Sequence, residues 1–137
     1  MRIALGTDET SPLTDAVTGH LRAGGHEVTV LAEGQVEWPE VGRLVGEAVA
    51  GRRSDWGVVC CTTGTGVALA ANKVRGVRAA LCPDAATAAG ARRWNDANVV
   101  ALGLRLTSVP VALEIVDAFA ETAFDPLERP AVDRIEP

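Results

Sequence analysis

Three nearly unbroken apolar runs constrain this chain more than any other feature. Residues 56–61, 77–82 and 98–103 each carry at most one strongly polar residue. A strand with one wet face alternates apolar and polar side chains. These runs do not, which marks parallel strands covered on both faces. Two further strand candidates, residues 2–6 and 27–31, precede them. Helical patterns separate the strands. Residues 12–23 place Leu13, Ala16, Val17 and Leu21 on one stripe, with His20 beside them. Ser11 can cap that helix, Pro12 suits its first position, and Gly24-Gly25 stops it. A second helix starts at Pro39, with Val41, Leu44, Val45, Ala48 and Val49 on one face. Residues 64–73 read as a turn and a small-residue helix. Residues 84–93 read as an Ala-rich helix capped by Asp84. Thr107 or Ser108 opens the last helix, whose Ala112, Ile115, Val116 and Phe119 face the core. Five strand–helix units predict an α/β class fold, a Rossmann-like three-layer α/β/α sandwich around a five-stranded parallel sheet. Residues 1–124 are expected to form this single domain. Residues 125–137 are polar and Pro-rich and read as a C-terminal tail.

The chain's 137 residues suffice for one domain with a substantial core. The net charge of −5 gives no basic footprint for nucleic acid. The apolar runs are too short to cross a membrane. Met1-Arg2 leads straight into a strand, without the architecture of a signal peptide, so the expected location is cytoplasmic. Cys60, Cys61 and Cys82 are an odd number, which fits free thiols in a reducing compartment. The adjacent pair has no metal-ligand spacing, so neither a metal nor a cofactor is expected. The chain has only two histidines, His20 and His26, one lysine, Lys73, and no tyrosine.

In such folds ligands sit beyond the carboxyl ends of the strands, at a switch in strand order. The stretch Cys61-Thr62-Thr63-Gly64-Thr65-Gly66 falls there. Backbone N–H groups at a Gly/Thr turn that opens a helix can bind an anion, and the same positive end activates a nearby thiol. A buried structural cysteine ahead of an ordinary helix start explains the stretch equally well. It is not a phosphate loop, since no Gly-Lys-Ser/Thr follows, and Leu69 breaks a GxGxxG pattern. Asp8-Glu9 follows the first strand, where carboxylates hold sugar hydroxyls or move protons; taken alone, they read as a solvated helix start. Residues 92–98 are amide-rich and precede the last strand. Trp38 and Trp94 lie in loops, as lid or subunit contacts, whereas Trp56 belongs to the core. His20 and His26 sit at structural places.

Across residues 2–124 the chain resembles the ribose-5-phosphate isomerase B and galactose-6-phosphate isomerase family. The resemblance rests on Ala70-Ala71-Asn72-Lys73-Val74, Gly76-Val77-Arg78-Ala79-Ala80-Leu81-Cys82, Asp84, Thr87-Ala88 and Asn95-Asp96-Ala97-Asn98-Val99. Ala101-Leu102-Gly103, Arg105, Ile3-Ala4-Leu5-Gly6 with Asp8, Gly25-His26-Glu27-Val28 and Glu114-Ile115-Val116-Asp117 extend it. No single piece decides; the order and spacing do. The resemblance implies interconversion of aldose and ketose phosphates through a cis-enediol, without a metal. It implies Cys61 as the proton-transfer base, Thr63 as its hydroxyl partner, and Gly64, Thr65 and Gly66 as the oxyanion loop. Asp8 and Asn95 would hold substrate hydroxyls. It implies a homodimer or homotetramer whose sites are shared between subunits, acting on a small sugar or sugar-like molecule.

The departures from the family pattern fall at functional places. Trp94 stands where the family's ring-opening histidine is expected, Glu9 where a second histidine is expected, and Trp38 where a tyrosine is expected. Thr62 replaces a small residue. The tail segment Leu127-Glu128-Arg129-Pro130-Ala131 largely lacks the family's phosphate-binding arginines, although Arg129 and Arg134 remain nearby. Glu9 would repel a phosphate. The expectation is therefore an isomerase or epimerase with a retained thiol base and a substrate altered from ribose 5-phosphate, in which Glu9, Trp38 and Trp94 also face the substrate. The alternative is a non-catalytic or half-site partner subunit.

Overall fold

The computed structural model describes residues 1–136; the last residue assigned to the tail, Pro137, lies outside them. Among the described residues, five parallel strands form one sheet in the order β2-β1-β3-β5-β4. They are β1 (Arg2–Thr7), β2 (Glu27–Glu33), β3 (Trp56–Cys61), β4 (Ala79–Leu81) and β5 (Val99–Gly103). The helices between them are α1 (Pro12–Ala23), α2 (Trp38–Ala50), α3 (Thr65–Asn72) and α4 (Ala85–Asn95), with α5 (Val109–Glu121) after β5. The three-layer α/β/α sandwich expected from the apolar runs is the observed architecture. No helix among the described residues is long and apolar enough to cross a membrane.

The pleat sorts each strand between two cores. Ile3, Leu5, Trp56, Val58, Cys60, Val100 and Leu102 pack with Leu13, Val17 and Leu21 of α1, Ala88 and Ala91 of α4, and Ile115 and Phe119 of α5. Ala4, Val59, Cys61, Val99 and Ala101 pack with Val41 and Val45 of α2 and Val67 and Ala71 of α3. In the second layer small residues let α2 and α3 approach each other closely. A Cβ on Gly42 of α2 would lie 2.7 Å from the Ala71 backbone nitrogen, so only glycine permits this contact.

Local signals set the helix starts. Ser11, Asp84 and Ser108 each accept a backbone N–H of the first turn, from Thr14, Thr87 and Val111. Several boundaries differ from the sequence reading. The fourth strand is only Ala79–Leu81, not residues 77–82; it forms the sheet edge and is half-buried, with Leu81 exposed, rather than covered on both faces. The Asn72 carboxamide occupies that edge in place of another strand. It donates to the Ala79 carbonyl at 2.9 Å and accepts the Ala79 N–H at 2.7 Å. Strand β2 runs on to Glu33, two residues past the expected end. Trp38 and Trp94 are not loop residues: Trp38 opens α2, and Trp94 lies in the last turn of α4.

After α5 the chain makes a 3-10 turn at Pro126–Glu128, a short helix α6 (Arg129–Val132) and a second 3-10 turn at Asp133–Ile135. Val132 is buried. Arg129 donates to Asp96 at 3.0 Å, and Arg78 pairs with both Asp96 and Glu136. Asp96 ends α4 in the left-handed region, at φ 50°.

Candidate active site

The strand order reverses between β1 and β3, since β1 leads to β2 on one side and β3 leads to β5 on the other. In open parallel sheets this is where a crevice forms at the carboxyl ends. Thr7 at the end of β1 lies opposite Cys60 of β3, and the Asp8 N–H reaches the Cys60 carbonyl at 3.4 Å. Asp8 and Cys61 are thereby held on adjacent strand ends. The loop after β5 joins them, because the Leu104 and Arg105 N–H groups donate to the carbonyls of Cys61 and Thr62.

Cys60 and Cys61 differ in chemistry because the pleat turns them to opposite faces. Cys60 is sealed in the core, and burial pushes its thiol far above the usual range. Cys61 is buried at the top of the other core, and its sulfur accepts the Gly64 N–H at 3.2 Å. That bond points a backbone dipole at the sulfur. Gly64 caps α3 at φ 77°, and a Cβ there would lie 2.8 Å from the Leu102 carbonyl carbon. The turn is therefore open to glycine alone. The next N–H groups, of Thr65, Gly66 and Val67, are those a helix leaves without carbonyl partners of its own. The Thr63 and Thr65 hydroxyls lie 2.7 Å apart beside them. A negative oxygen placed over this turn meets N–H donors and the positive end of α3.

Asp8 is half-buried. Its Oδ1 is closed off from solvent and has no hydrogen-bond partner, and burial raises the carboxyl above its usual range. Glu9 is exposed, and its carbonyl accepts the Thr7 hydroxyl at 2.7 Å. Trp38 is 43% exposed; its ring lies 3.0 Å from where a Cβ on Gly66 would sit, so it walls the oxyanion turn from the α2 side.

Trp94 and Asn95 are placed elsewhere. Helix α4 runs antiparallel to the strands, and its 11 residues span about 16 Å. Its start follows β4 at the carboxyl end of the sheet. Its last two residues lie just ahead of β5, at the amino end. Within one chain, Cys61, Thr63, Gly64, Thr65, Gly66, Asp8, Glu9 and Trp38 form one group, and Trp94 with Asn95 stands apart. Trp94 is 54% exposed and borders a trough of about 610 Å³ along α4, which Ala80, Leu81, Ala86 and Gly90 also line. Leu81 links that trough to the oxyanion turn, lying 2.6 Å from where a Gly64 Cβ would be.

The sequence reading gave no role to Arg105. It is exposed, and it carries the single positive side chain in the loops that follow the strands, against Asp8, Glu9, Glu37 and Asp84. Its place in the loop after β5, within the family-like run, was the available signal. His20 pairs with Asp117 at 2.7 Å, and His26 lies 3.2 Å from the Met1 amine, both away from this group. Among the described residues no three His, Cys, Asp or Glu side chains converge as a metal site.

Comparison with known proteins places these features in a family. The Ribose/Galactose Isomerase family matches residues 3–136. The galactose-6-phosphate isomerase subunit LacB of Clostridium acetobutylicum is 36% identical over 132 residues, 92% of this chain and 75% of that protein. The ribose-5-phosphate isomerase B of Escherichia coli is 34% identical over 128 residues, 90% of this chain and 86% of that protein. The solved structure of Clostridium thermocellum ribose-5-phosphate isomerase B superposes with a TM-score of 0.94 at 35% identity, covering 99% of this chain and 95% of that one. These relatives are sugar phosphate isomerases.

Proposed function

The chain belongs to the Ribose/Galactose Isomerase family, and from that premise we propose that it is a metal-independent aldose–ketose isomerase with Cys61 as its proton-transfer base. The observation that carries the proposal is the Cys61 sulfur held under the Gly64 N–H, beside the glycine turn that opens α3. Acting as the thiolate, Cys61 takes the proton from the carbon next to the substrate carbonyl. The C–H electron pair becomes the enediolate double bond, and the carbonyl pair moves to its oxygen. The Gly64-Thr65-Gly66 turn, at the positive end of α3, stabilises that oxygen. The Thr63 hydroxyl relays a proton between the two enediol oxygens. Cys61 then returns its proton to the neighbouring carbon, which gives the isomer.

The substrate is a small sugar whose far end is not held as a phosphate is in a basic pocket. The loops at the carboxyl ends carry Asp8, Glu9, Glu37 and Asp84 against Arg105 alone. Of the two remaining tail arginines, Arg129 is engaged by Asp96 and Asp133 and stacks on Phe124, and Arg134 is exposed. Trp38 offers an apolar wall in their place. Trp94 and Asn95 reach the substrate from a second copy. A two-fold axis perpendicular to the strands, across the α4 and β4 face, sets the amino end of one sheet against the carboxyl end of the other. The exposed Leu81 and Trp94 and the trough between them give that face its apolar surface. The resulting homodimer has two shared sites.

Solvent deuterium incorporation into a panel of phosphorylated and unphosphorylated aldoses tests the reaction. Wild type exchanges the proton next to the carbonyl, and Cys61→Ala lowers that rate at least about 100-fold. Equal rates in the two proteins would remove the role of Cys61. A stable monomer that purifies with a second, unlike family member would favour the half-site subunit instead.

A further inference from the structure

A ring-closed aldose must open before the carbon beside its carbonyl can lose a proton, and opening needs an acid. The usual acids are missing from this site. His20 and His26 line a pocket with Asp117, at the far end of α1. There is no tyrosine. Lys73 follows α3 at the amino end of the sheet. Cys82, after β4, is pushed up to about 11 by burial and donates to the Ala80 carbonyl. Asp84 is held low by capping α4, where it accepts the Thr87 N–H. Asp96 sits between Arg78, Arg92 and Arg129. Glu9 is open to water.

Asp8 differs from all of these. Its Oδ1 is buried and unpartnered, so ionising it leaves a negative oxygen with no donor. Burial raises its pKa, and the one opposing influence is its own backbone N–H. Glu9 in its loop, Glu33 at the end of β2 beside Thr7, and Cys60 and Cys61 on β3 are titratable groups on the neighbouring strand ends, Arg105 stands in the loop after β5, and no charged side chain lowers the Asp8 carboxyl. Its backbone is fixed as well. The fully buried Thr7 donates its hydroxyl to the Glu9 carbonyl at 2.7 Å, and the Asp8 N–H is bound to Cys60.

We propose that the Asp8 carboxyl is the general acid that opens the sugar ring at this site, so that the protein also exchanges the anomers of the aldoses it binds. This rests on the isomerase reading above. The carboxyl proton passes to the ring oxygen. The bond from C1 to that oxygen breaks, and its electron pair stays on the oxygen. The anomeric O–H pair becomes the second bond of the C1 carbonyl, and the anomeric proton leaves to water. Asp8 regains a proton from water, and closure from either face gives either anomer. Nothing is oxidised or reduced.

The probes are 2-deoxyribose and 2-deoxyribose 5-phosphate. Both open and close, but without a C2 hydroxyl neither can become the ketose. Magnetisation-transfer NMR reads their anomer exchange. Wild type accelerates exchange of at least one of them. Asp8→Asn lowers that acceleration about 100-fold, and Asp8→Glu, which keeps a carboxyl, retains part of it. Circular dichroism of each variant establishes that it is folded. If Asp8→Asn exchanges anomers as fast as wild type, the assignment to Asp8 is wrong. Solvent deuterium incorporation into the panel of phosphorylated and unphosphorylated aldoses separates the two readings. Deuterium exchange by wild type without anomer exchange overturns the ring-opening role and leaves the isomerase standing. Neither kind of exchange overturns both.

Discussion

Adjacent residues do unlike chemistry here because a strand alternates its faces. Cys60 and Cys61 are neighbours in sequence, yet the first is sealed in the core beneath α1 and α5, and the second tops the core beneath α2 and α3. Iodoacetamide is therefore expected to modify Cys61 ahead of Cys60, as read by peptide mass mapping of the folded protein. Asp8 carries a sign that can be measured. Its raised pKa means the folded chain keeps a proton that the unfolded chain has already lost. That stabilisation is complete below the ordinary carboxylate range and disappears as pH rises through the raised value. Asp8→Asn has no such loss. Its melting temperature should gain on wild type between acid and neutral pH, while ring opening collapses. Glu9→Gln removes a charge at the site mouth and should raise kcat/KM for a phosphorylated sugar relative to its unphosphorylated form. An unchanged ratio would mean that Glu9 does not face that end of the substrate.

Single elements rest on a few irreplaceable contacts. Helix α3 begins at a glycine whose conformation and surroundings exclude any Cβ. Gly64→Ala should destabilise the fold by on the order of 1–3 kcal/mol and disturb the oxyanion turn. Chemical denaturation reads the first effect, and kcat with an unchanged KM reads the second. Strand β4 has three residues and an open edge, and Asn72 supplies the partner that edge lacks. Asn72→Ala removes two hydrogen bonds and should cost about 1–3 kcal/mol. Hydrogen exchange should quicken first at Ala79. The caps at Ser11, Asp84 and Ser108 were readable in advance because a cap is a local matter of three or four residues. The short β4 was not. Its six-residue apolar run says that it is buried, but the run's position at the edge is a property of the whole sheet.

At the scale of the molecule, the decisive fact is that α4 runs back along the sheet. It carries Trp94 and Asn95 about 16 Å from its own start, toward the end opposite Cys61. A site that uses both groups needs two copies. Mixing two inactive variants tests this. Cys61→Ala and Asn95→Ala, unfolded and refolded together, should form about half mixed dimers, each with one intact site of two. That restores about a quarter of wild-type activity. No recovery would place all catalytic residues in one chain. The C-terminal segment belongs to the same scale. Arg129 and Glu136 fasten it to Asp96 and Arg78, next to the end of α4. Arg129→Ala should loosen that end and act on KM more than on kcat.

The sequence by itself determined the layers and the parallel sheet, and it marked the stretch where the candidate site lies. Buried strands leave continuous apolar runs, caps leave single polar residues, and the run from Cys61 to Gly66 places a thiol beside a glycine turn at a strand end. These are properties of neighbours along the chain. Only the tertiary structure decided which ends meet. It put Asp8 beside Cys61, because β1 and β3 pair across the switch in strand order. It buried Asp8 Oδ1 without a partner. It also sent Trp94 and Asn95 to the other end of the sheet. Spacing along a chain fixes local geometry, whereas distances through space depend on the direction in which each helix returns.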